Sequence, residues 1–126
     1  MSHFSTIKTQ YNNRKVLLQS LKNMGLKVTE HQQPVQLNTT WNSQAVAHLV
    51  VERSQINSSS DIGFLNEEGS YQLVCDDYDL RRSNRPNFKQ ELGTNYAVAT
   101  AQKLGYRVQQ QETVDGQVQI TLGARR

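Results

Sequence analysis

"QKLGYRVQQQ", residues 102–111, repeats the pattern of "KNMGLKVTEH", residues 22–31, at a constant offset of 80 residues. In both stretches a large apolar residue, a glycine, an apolar residue, a cation and a valine follow one another. A glycine behind a helical pattern supplies the left-handed residue that commonly ends a helix. We therefore interpret the two stretches as copies of one unit, in which a helix stops and a core strand begins.

The residues before each glycine have helical spacing. Asn12 or Asn13 can cap a helix over residues 14–24, in which the large apolar residues fall on one face: Leu17, Leu18, Leu21 and Met24. In the second copy Ser83 or Asn84 can cap, and Pro86 suits the first turn. Its apolar residues recur at four-residue steps: Phe88, Leu92 and Tyr96.

Strand candidates surround the two helices. Residues 2–8 precede the first helix and residues 70–76 the second, while residues 45–52 and 61–66 lie between the copies. The "NEEG" turn joins 61–66 to 70–76. The pattern predicts an α+β fold with a single antiparallel sheet and two helices packed on one face. Its halves, about 2–38 and 70–122, each run strand, helix, strand, strand, an arrangement related to the ferredoxin-like folds.

The segment "YRVQQQETVDGQVQITL" predicts a C-terminal hairpin with two alternative registers. A two-residue Asp-Gly turn pairs Thr113 with Val118. A three-residue loop with a left-handed Gly116 instead pairs Gln110 with Ile120 and Val108 with Leu122. The second register gathers the apolar residues of both strands on one face, so we prefer it.

The overall composition is that of a single domain spanning residues 1–126. Hydrophobic residues make up 36% of the chain, which is enough for one core, and no run of eighteen apolar residues or signal-peptide pattern occurs. These features predict a cytoplasmic location. Cys75 is the only cysteine, which excludes an internal disulfide, and we expect a buried, inert thiol.

Charge is segregated along the sequence. Residues 1–27 carry five cations and no acid, residues 61–79 carry six acids and no cation, and a basic block follows. Such segregation predicts a dipolar surface that could orient a charged partner, unless the blocks neutralise each other within the fold.

Cations also crowd the predicted starts of both helices, where the helix dipole favours acids. A bound anion would offset this cost, so we predict an anion- or partner-binding surface made of Arg14, Lys15, Arg81, Arg82, Arg85 and Lys89. The alternative is that Asp76, Asp77 and Asp79 neutralise the arginine block. Trp41 lies between strand candidates and is either a core residue or the anchor of an interface.

Motifs for catalysis or metal binding are weak. The three aspartates of "CDDYD" lack the glycine and terminal glutamate of a calcium loop, and His3, His31 and His48 are scattered. There is no nucleophile elbow, dinucleotide fingerprint or phosphate-binding loop. We therefore predict no catalytic residues, no metal, no cofactor and no enzymatic activity.

Three blocks, "MSHFSTIKTQ", "DIGFLNEEGSYQLVCDDYD" and "NYAVATAQKLGYRVQQQETVDGQVQITL", together resemble the uncharacterised family of hypothetical chloroplast reading frame thirty-five, found in cyanobacteria, red-algal plastids and cyanophages. Tyr78 stands where that family usually has an aromatic residue after the acidic pair. The resemblance implies an accessory protein of photosynthetic cells, which in algal relatives is located in the plastid stroma. It leaves open whether the protein contacts the thylakoid surface peripherally. It implies no reaction.

Two functional hypotheses follow. The first is a non-catalytic accessory or assembly protein that binds an acidic protein partner through its basic surface. The alternative is an RNA-binding or regulatory module that uses the basic helix starts; a stacking sheet would need exposed aromatic residues on its central strands. The sequence leaves the oligomeric state open.

Overall fold

The computed structural model describes the backbone of residues 4–40, 43–114 and 117–123 and the side chains of residues 11–40, 43–107 and 123. The strands are β1 (Phe4–Tyr11), β2 (Thr29–Gln36), β3 (Val46–Val51), β4 (Ile62–Glu67), β5 (Ser70–Asp76), β6 (Val108–Val114) and β7 (Gln117–Leu122). The α-helices are α1 (Arg14–Asn23), α2 (Asp77–Arg81) and α3 (Phe88–Lys103), and a 3₁₀ turn covers Arg53–Ile56.

The α+β class and the antiparallel sheet with helices are confirmed. Five strands form one sheet in the order β1-β5-β4-β3-β2, and every neighbouring pair is antiparallel. Helices α1 and α3 contact each other. The first predicted half contains β1, α1 and β2, so it runs strand, helix, strand, and the second contains β5, α2, α3, β6 and β7. The two strands expected between the halves are present as β3 and β4.

The prediction of one single sheet needs a correction. Strands β6 and β7 pair with each other in a separate two-stranded sheet and contact α3 instead of extending the main sheet. Strands β2 and β3, which also pair with each other, reach the main sheet through β4. The second half has no counterpart of β4 among the described strands, so its hairpin lacks that bridge.

The helix stops are where the glycines indicate. Gly25 has φ 79° and Gly105 has φ 90°, both in the left-handed region that glycine adopts without a steric penalty. In each case the amide of the next residue bonds back into the helix, from Leu26 to Leu21 O and from Tyr106 to Ala101 O, both at 3.0 Å. These paired bonds are the C-terminal capping pattern that satisfies the last helical carbonyls.

Two boundaries differ from the sequence expectations. After Gly25 the segment 26–28 is not a strand, and β2 begins at Thr29, because Leu26 packs into the core before the chain joins the sheet edge. The second helix is divided: α2 begins directly after β5, and α3 begins at Phe88, preceded by Asn87 rather than by a capping Ser83 or Asn84. Asn13 does cap α1, accepting a bond of 3.0 Å from the Val16 amide.

The hairpin combines both registers that the sequence allowed. Near the turn Thr113 pairs with Val118 and Gln111 with Ile120, which contradicts the preferred Gln110–Ile120 pairing. At the far end Val108 pairs with Leu122, as preferred, because the register shifts between Val108 and Gln110. A bulge adds one residue to a strand and so shifts the register by one. The predicted left-handed Gly116 lies outside the described residues.

The sheet carries apolar side chains on both faces. The larger cluster lies between the sheet and the helices and includes Leu17, Leu21, Phe64, Phe88 and Leu92, all fully buried. The smaller cluster consists of Leu37, Ala47, Val50 and Val74. Gly63 lies beside this smaller cluster, where an added Cβ would come within 2.4 Å of the Ala47 Cβ.

Candidate functional site

The segment 77–90, which we call the elbow, turns the chain from β5 through α2 into α3. Asp76 ends β5 in an extended conformation, and its side chain accepts a bond of 2.9 Å from the Asp79 amide, which caps α2. At the other end the Ser83 hydroxyl donates to Leu80 O at 2.6 Å and accepts from the Arg85 amide at 3.0 Å. The elbow is therefore held by local hydrogen bonds at both ends of α2.

The short helix reverses the electrostatic argument made from the sequence. Asp77 and Asp79 occupy the first turn of α2 and Arg81 its last turn, which is the arrangement that a helix dipole favours. Sequence reasoning placed Arg81 and Arg82 at the start of a helix because it did not foresee α2. Their charge therefore does not need a bound anion to offset an unfavourable dipole.

Two arginines and one aromatic residue of the elbow project to the surface. Tyr78 is 47% exposed, and the guanidinium carbon of Arg82 lies 5.4 Å from the centre of its ring, a cation–π distance. Arg81 is also exposed, and neither arginine forms an ion pair with another described residue. Tyr78 and Arg82 thus form a preorganised pair whose polar atoms remain accessible.

A groove of about 320 Å³ lies between α2 and the start of α3. Its lining combines charged, polar and apolar residues: Asp77, Leu80, Arg81, Pro86, Asn87, Lys89 and Gln90. Lys89 spans the groove to Asp77, with Nζ 2.5 Å from Oδ1. The structure therefore brings Arg81 and Lys89, two of the candidate residues, to one concave surface beside the Tyr78–Arg82 pair.

Arg85, unlike Arg81 and Arg82, binds other parts of the protein through its guanidinium group. Its Nη2 donates to Met24 O at 2.6 Å, and its Nη1 pairs with Glu91 Oε2 at 3.0 Å. One guanidinium thus joins the C-terminus of α1 to the first turn of α3. A cation at a helix C-terminus is stabilised by the dipole. This explains the local basic residue without a ligand.

The remaining candidate cations lie away from the elbow. Arg14 and Lys15 open α1, whose first turn contains no acid. Arg14 forms an ion pair with Glu30 of β2, and Lys15 is exposed. Arg14 and Glu30 border a second depression of about 320 Å³, together with His31, Gln32, His48, Leu49, Asn66 and Tyr71. The Asn66 amide donates to His48 Nδ1 at 3.0 Å.

The acidic block contributes less to the surface than its sequence indicates. Asp61, Asp76 and Asp79 are each at most 4% exposed. Asp61 accepts from the Asn38 and Arg53 amides at 2.7 and 2.8 Å, and Asp79 accepts from the Ser60 hydroxyl at 2.5 Å. Among the residues with described side chains, no cluster of three or more metal-binding groups occurs. The expected dipolar surface therefore lacks half of its acids, because they accept hydrogen bonds from backbone amides and from a buried hydroxyl.

Cys75 is 1% exposed, and burial raises the pKa of its thiol from 9.0 to about 12, partly opposed by the Lys89 charge. The thiol therefore stays protonated near neutral pH and lacks the nucleophilic thiolate. The expectation of a buried thiol is confirmed.

We expect a thiol-reactive dye at pH 8 to label the native protein at least a hundred times more slowly than the urea-unfolded chain. Because the pKa of the Cys75 thiol is higher in the folded protein than in the unfolded chain, the thiol's contribution to the free energy of unfolding is fully present below pH 9 and is lost as the pH rises from 9 to 12. The free energy of unfolding of wild type, measured relative to Cys75→Ala, should fall over that range. Rapid labelling of the native protein would contradict the burial.

Comparison with models of known protein families identifies the family of this chain. The model of a family described as "protein of unknown function (DUF1257)" matches residues 20–121. The chain belongs to this DUF1257 family. No curated protein and no solved structure matches the chain.

The elbow and both glycine helix stops fall within the DUF1257 match. Trp41, the other candidate anchor, lies outside the described residues. No helix in the described part of this DUF1257 protein has the length and apolarity needed to cross a membrane. Sequence reasoning missed Tyr78 as an anchor, and the acids around it gave no signal, because Asp79 beside it is buried while Tyr78 is exposed.

Proposed function

We propose that this DUF1257 protein is a non-catalytic accessory or assembly protein that binds an acidic protein partner through the elbow. The observation that carries the proposal is the exposed Tyr78–Arg82 pair beside the groove that Arg81 and Lys89 line. Tyrosine and arginine are enriched among the residues that dominate binding energy at protein interfaces. An acidic partner would find two accessible guanidinium groups and an aromatic face in one place.

The candidate site residues differ in whether they already bind another group of the protein. Arg81 and Arg82 are available for a partner, whereas Arg85 holds two helices together through Met24 and Glu91. Arg14 is paired with Glu30 and Lys89 with Asp77. If either cation bound a partner's carboxylate, it would lose the ion pair that it already has, so the number of ion pairs would not increase. We therefore assign the principal contacts to Arg81, Arg82 and Tyr78.

The resemblance to the chloroplast reading frame family supports a photosynthetic setting for this partner, in the cytoplasm of a cyanobacterium or the stroma of a plastid. The RNA-binding alternative has less support. Phe64 and Tyr71, on the central strands β4 and β5, are buried and unavailable for stacking with bases.

Capture from a photosynthetic lysate tests the proposal. Wild-type protein is compared with Arg81→Glu/Arg82→Glu and with Lys22→Glu/Lys27→Glu, which changes the net charge equally at two exposed lysines elsewhere. We expect wild type and the lysine control to retain one acidic protein after nuclease treatment, and the arginine variant to retain at least tenfold less. Reversing both charges at an interface adds repulsion as well as removing attraction.

Two outcomes would count against the proposed function. Equal capture by the arginine variant would remove the elbow as the site. Loss of capture after nuclease, with a steep salt dependence, would favour RNA binding instead. Arg85 is left unchanged in these variants because its loss should destabilise the fold and obscure the result.

A further inference from the structure

The groove beside α2 contains an acid of its own. Its charged lining residues are one carboxylate, Asp77, and two cations, Arg81 and Lys89. Asp77 lies four residues before Arg81 in α2, so both side chains lie on the same side of that helix. Lys89 reaches Asp77 from the first turn of α3, with Nζ 2.5 Å from Oδ1. An acidic ligand that enters the groove therefore meets a lysine that already has a carboxylate partner.

The Asp77–Lys89 ion pair is accessible to a ligand. The two side chains are 40% and 41% exposed, and ion pairs at such positions contribute little to stability because water screens their charges. A ligand carboxylate can therefore replace Asp77 at Lys89 without disturbing the fold. Asp77 itself stays in the groove, because the dipole of α2 favours its charge and the Cys75 Sγ lies 3.8 Å from the same Oδ1 atom.

The arginines outside this ion pair offer a different kind of contact. Arg81 and Arg82 are exposed and form no ion pair with another described residue, so a first ligand carboxylate binds them without displacing another acid. A carboxylate at Lys89 has to displace Asp77 and is repelled by its charge. An isolated acid therefore gains no affinity from Lys89, whereas an acid next to one that the arginines already hold reaches Lys89 at a high effective concentration.

We propose that the elbow selects a partner segment with neighbouring acids, one bound by Arg81 and Arg82 and the next replacing Asp77 at Lys89. Asp77 is then an internal competitor that lowers the affinity for isolated acids. This inference rests on the proposed function and adds to it the chemistry of the partner, which is a run of acidic residues instead of scattered carboxylates.

Two peptides of equal charge test the selection. One is hexaglutamate, and the other contains the same number of glutamates separated by runs of glycine. Binding to the full chain is measured by NMR titration at physiological salt. Wild type should bind hexaglutamate at least threefold more tightly than the spaced peptide. Lys89→Met should lose this difference, because Lys89 is the cation that a neighbouring acid reaches.

Removal of the internal acid tests the competition. Asp77→Asn should bind hexaglutamate at least threefold more tightly than wild type, since Lys89 is freed and a like charge is lost. The same change in a Lys89→Met background should raise the affinity by a smaller factor, because no ion pair is left to break. All of these variants should melt within a few degrees of wild type, since the ion pair is exposed.

Glu68→Gln is the matched control, because it removes an equal charge from an exposed residue at the opposite end of β5. The seven residues of that strand span roughly 20 Å, beyond the distance of about 8 Å over which exposed charges interact at physiological salt. The affinity of this variant for hexaglutamate should therefore stay within twofold of wild type. An increase as large as that of Asp77→Asn would indicate a general effect of net charge and would overturn the inference.

The Arg81→Glu/Arg82→Glu variant separates this inference from the proposed function. If that variant bound hexaglutamate as wild type does, the elbow would not be the acid-binding surface and both would fail. If it lost binding while Asp77→Asn bound no more tightly than wild type, only the inference would fail. Equal affinity of wild type for the two peptides, or no binding of hexaglutamate by Asp77→Asn, would also overturn the inference.

Discussion

Gly63→Ala should destabilise the protein by about 3 kcal/mol, near the upper end of the usual cost of overpacking a core. An added Cβ would lie 2.4 Å from the Ala47 Cβ and 3.0 Å from a Leu37 methyl carbon. The Leu37 side chain can rotate, but the Ala47 Cβ is fixed to the backbone of a neighbouring strand. The strands themselves would have to separate, so thermal unfolding should show a melting temperature lower by roughly 10 °C.

Two control variants isolate the steric cause. Gly93→Ala introduces the same methyl group in α3, where no described atom outside the local helix backbone lies within 4 Å of the added Cβ, and should stabilise by about 0.5–1 kcal/mol because alanine favours helix. Gly63→Ala/Ala47→Gly removes the clashing atom and should recover more than half of the loss. Failure of this double variant to recover stability would show that the close approach of β3 and β4 is not the cause.

Asp61→Ala should cost about 3 kcal/mol, although Asp61 belongs to the acidic block that the sequence placed at the surface. Its two carboxylate oxygens accept from the Asn38 and Arg53 amides, and the residue is 2% exposed. Alanine would leave both amides without their acceptor, and an unsatisfied buried donor costs about 1–3 kcal/mol. Urea unfolding at pH 7 measures the change.

Two further variants distinguish the effect of the Asp61 hydrogen bonds on stability from the effect of its charge. Asp61→Asn keeps one acceptor oxygen and should lose about half as much stability as Asp61→Ala. Glu52→Ala removes an equal charge from an exposed residue nearby and should change stability by less than about 0.5 kcal/mol. If Asp61→Ala resembled Glu52→Ala, the carboxylate would not be holding the two loops.

The pairing that Asp61 makes shows why charge in a sequence is a poor guide to charge on a surface. Asp61 and Arg85 stand in blocks of like charge, yet each binds backbone groups far away in the sequence: Asn38 for the first, Met24 for the second. No local pattern reports these partners. Arg81 and Arg82, in the same block as Arg85, stay exposed because α2 ends there and turns them outward.

The hairpin illustrates a second kind of limit. Matching apolar residues favoured one register and the Asp-Gly turn favoured the other, and a bulge lets each hold over part of the strand pair. Sequence reasoning treated the registers as exclusive because it assumed regular pairing. A bulge leaves one residue without a partner in the strand ladder, and whether this loss of hydrogen bonding is offset depends on how the two strands pack in the tertiary structure.

The sequence by itself determined where the chain stops and turns: a cap at Asn12 or Asn13 before α1, the left-handed glycines at 25 and 105, and the strands that became β3, β4 and β5. These features depend on backbone sterics and on hydrogen bonds between near neighbours, which a short stretch contains completely. Only the tertiary structure decided that the hairpin stands apart from the main sheet, that Asp61 and Arg85 are structural, and that Tyr78 and Arg82 are presented together. Those outcomes depend on which distant groups compete for the same space and the same hydrogen bonds, and that competition exists only in the folded chain.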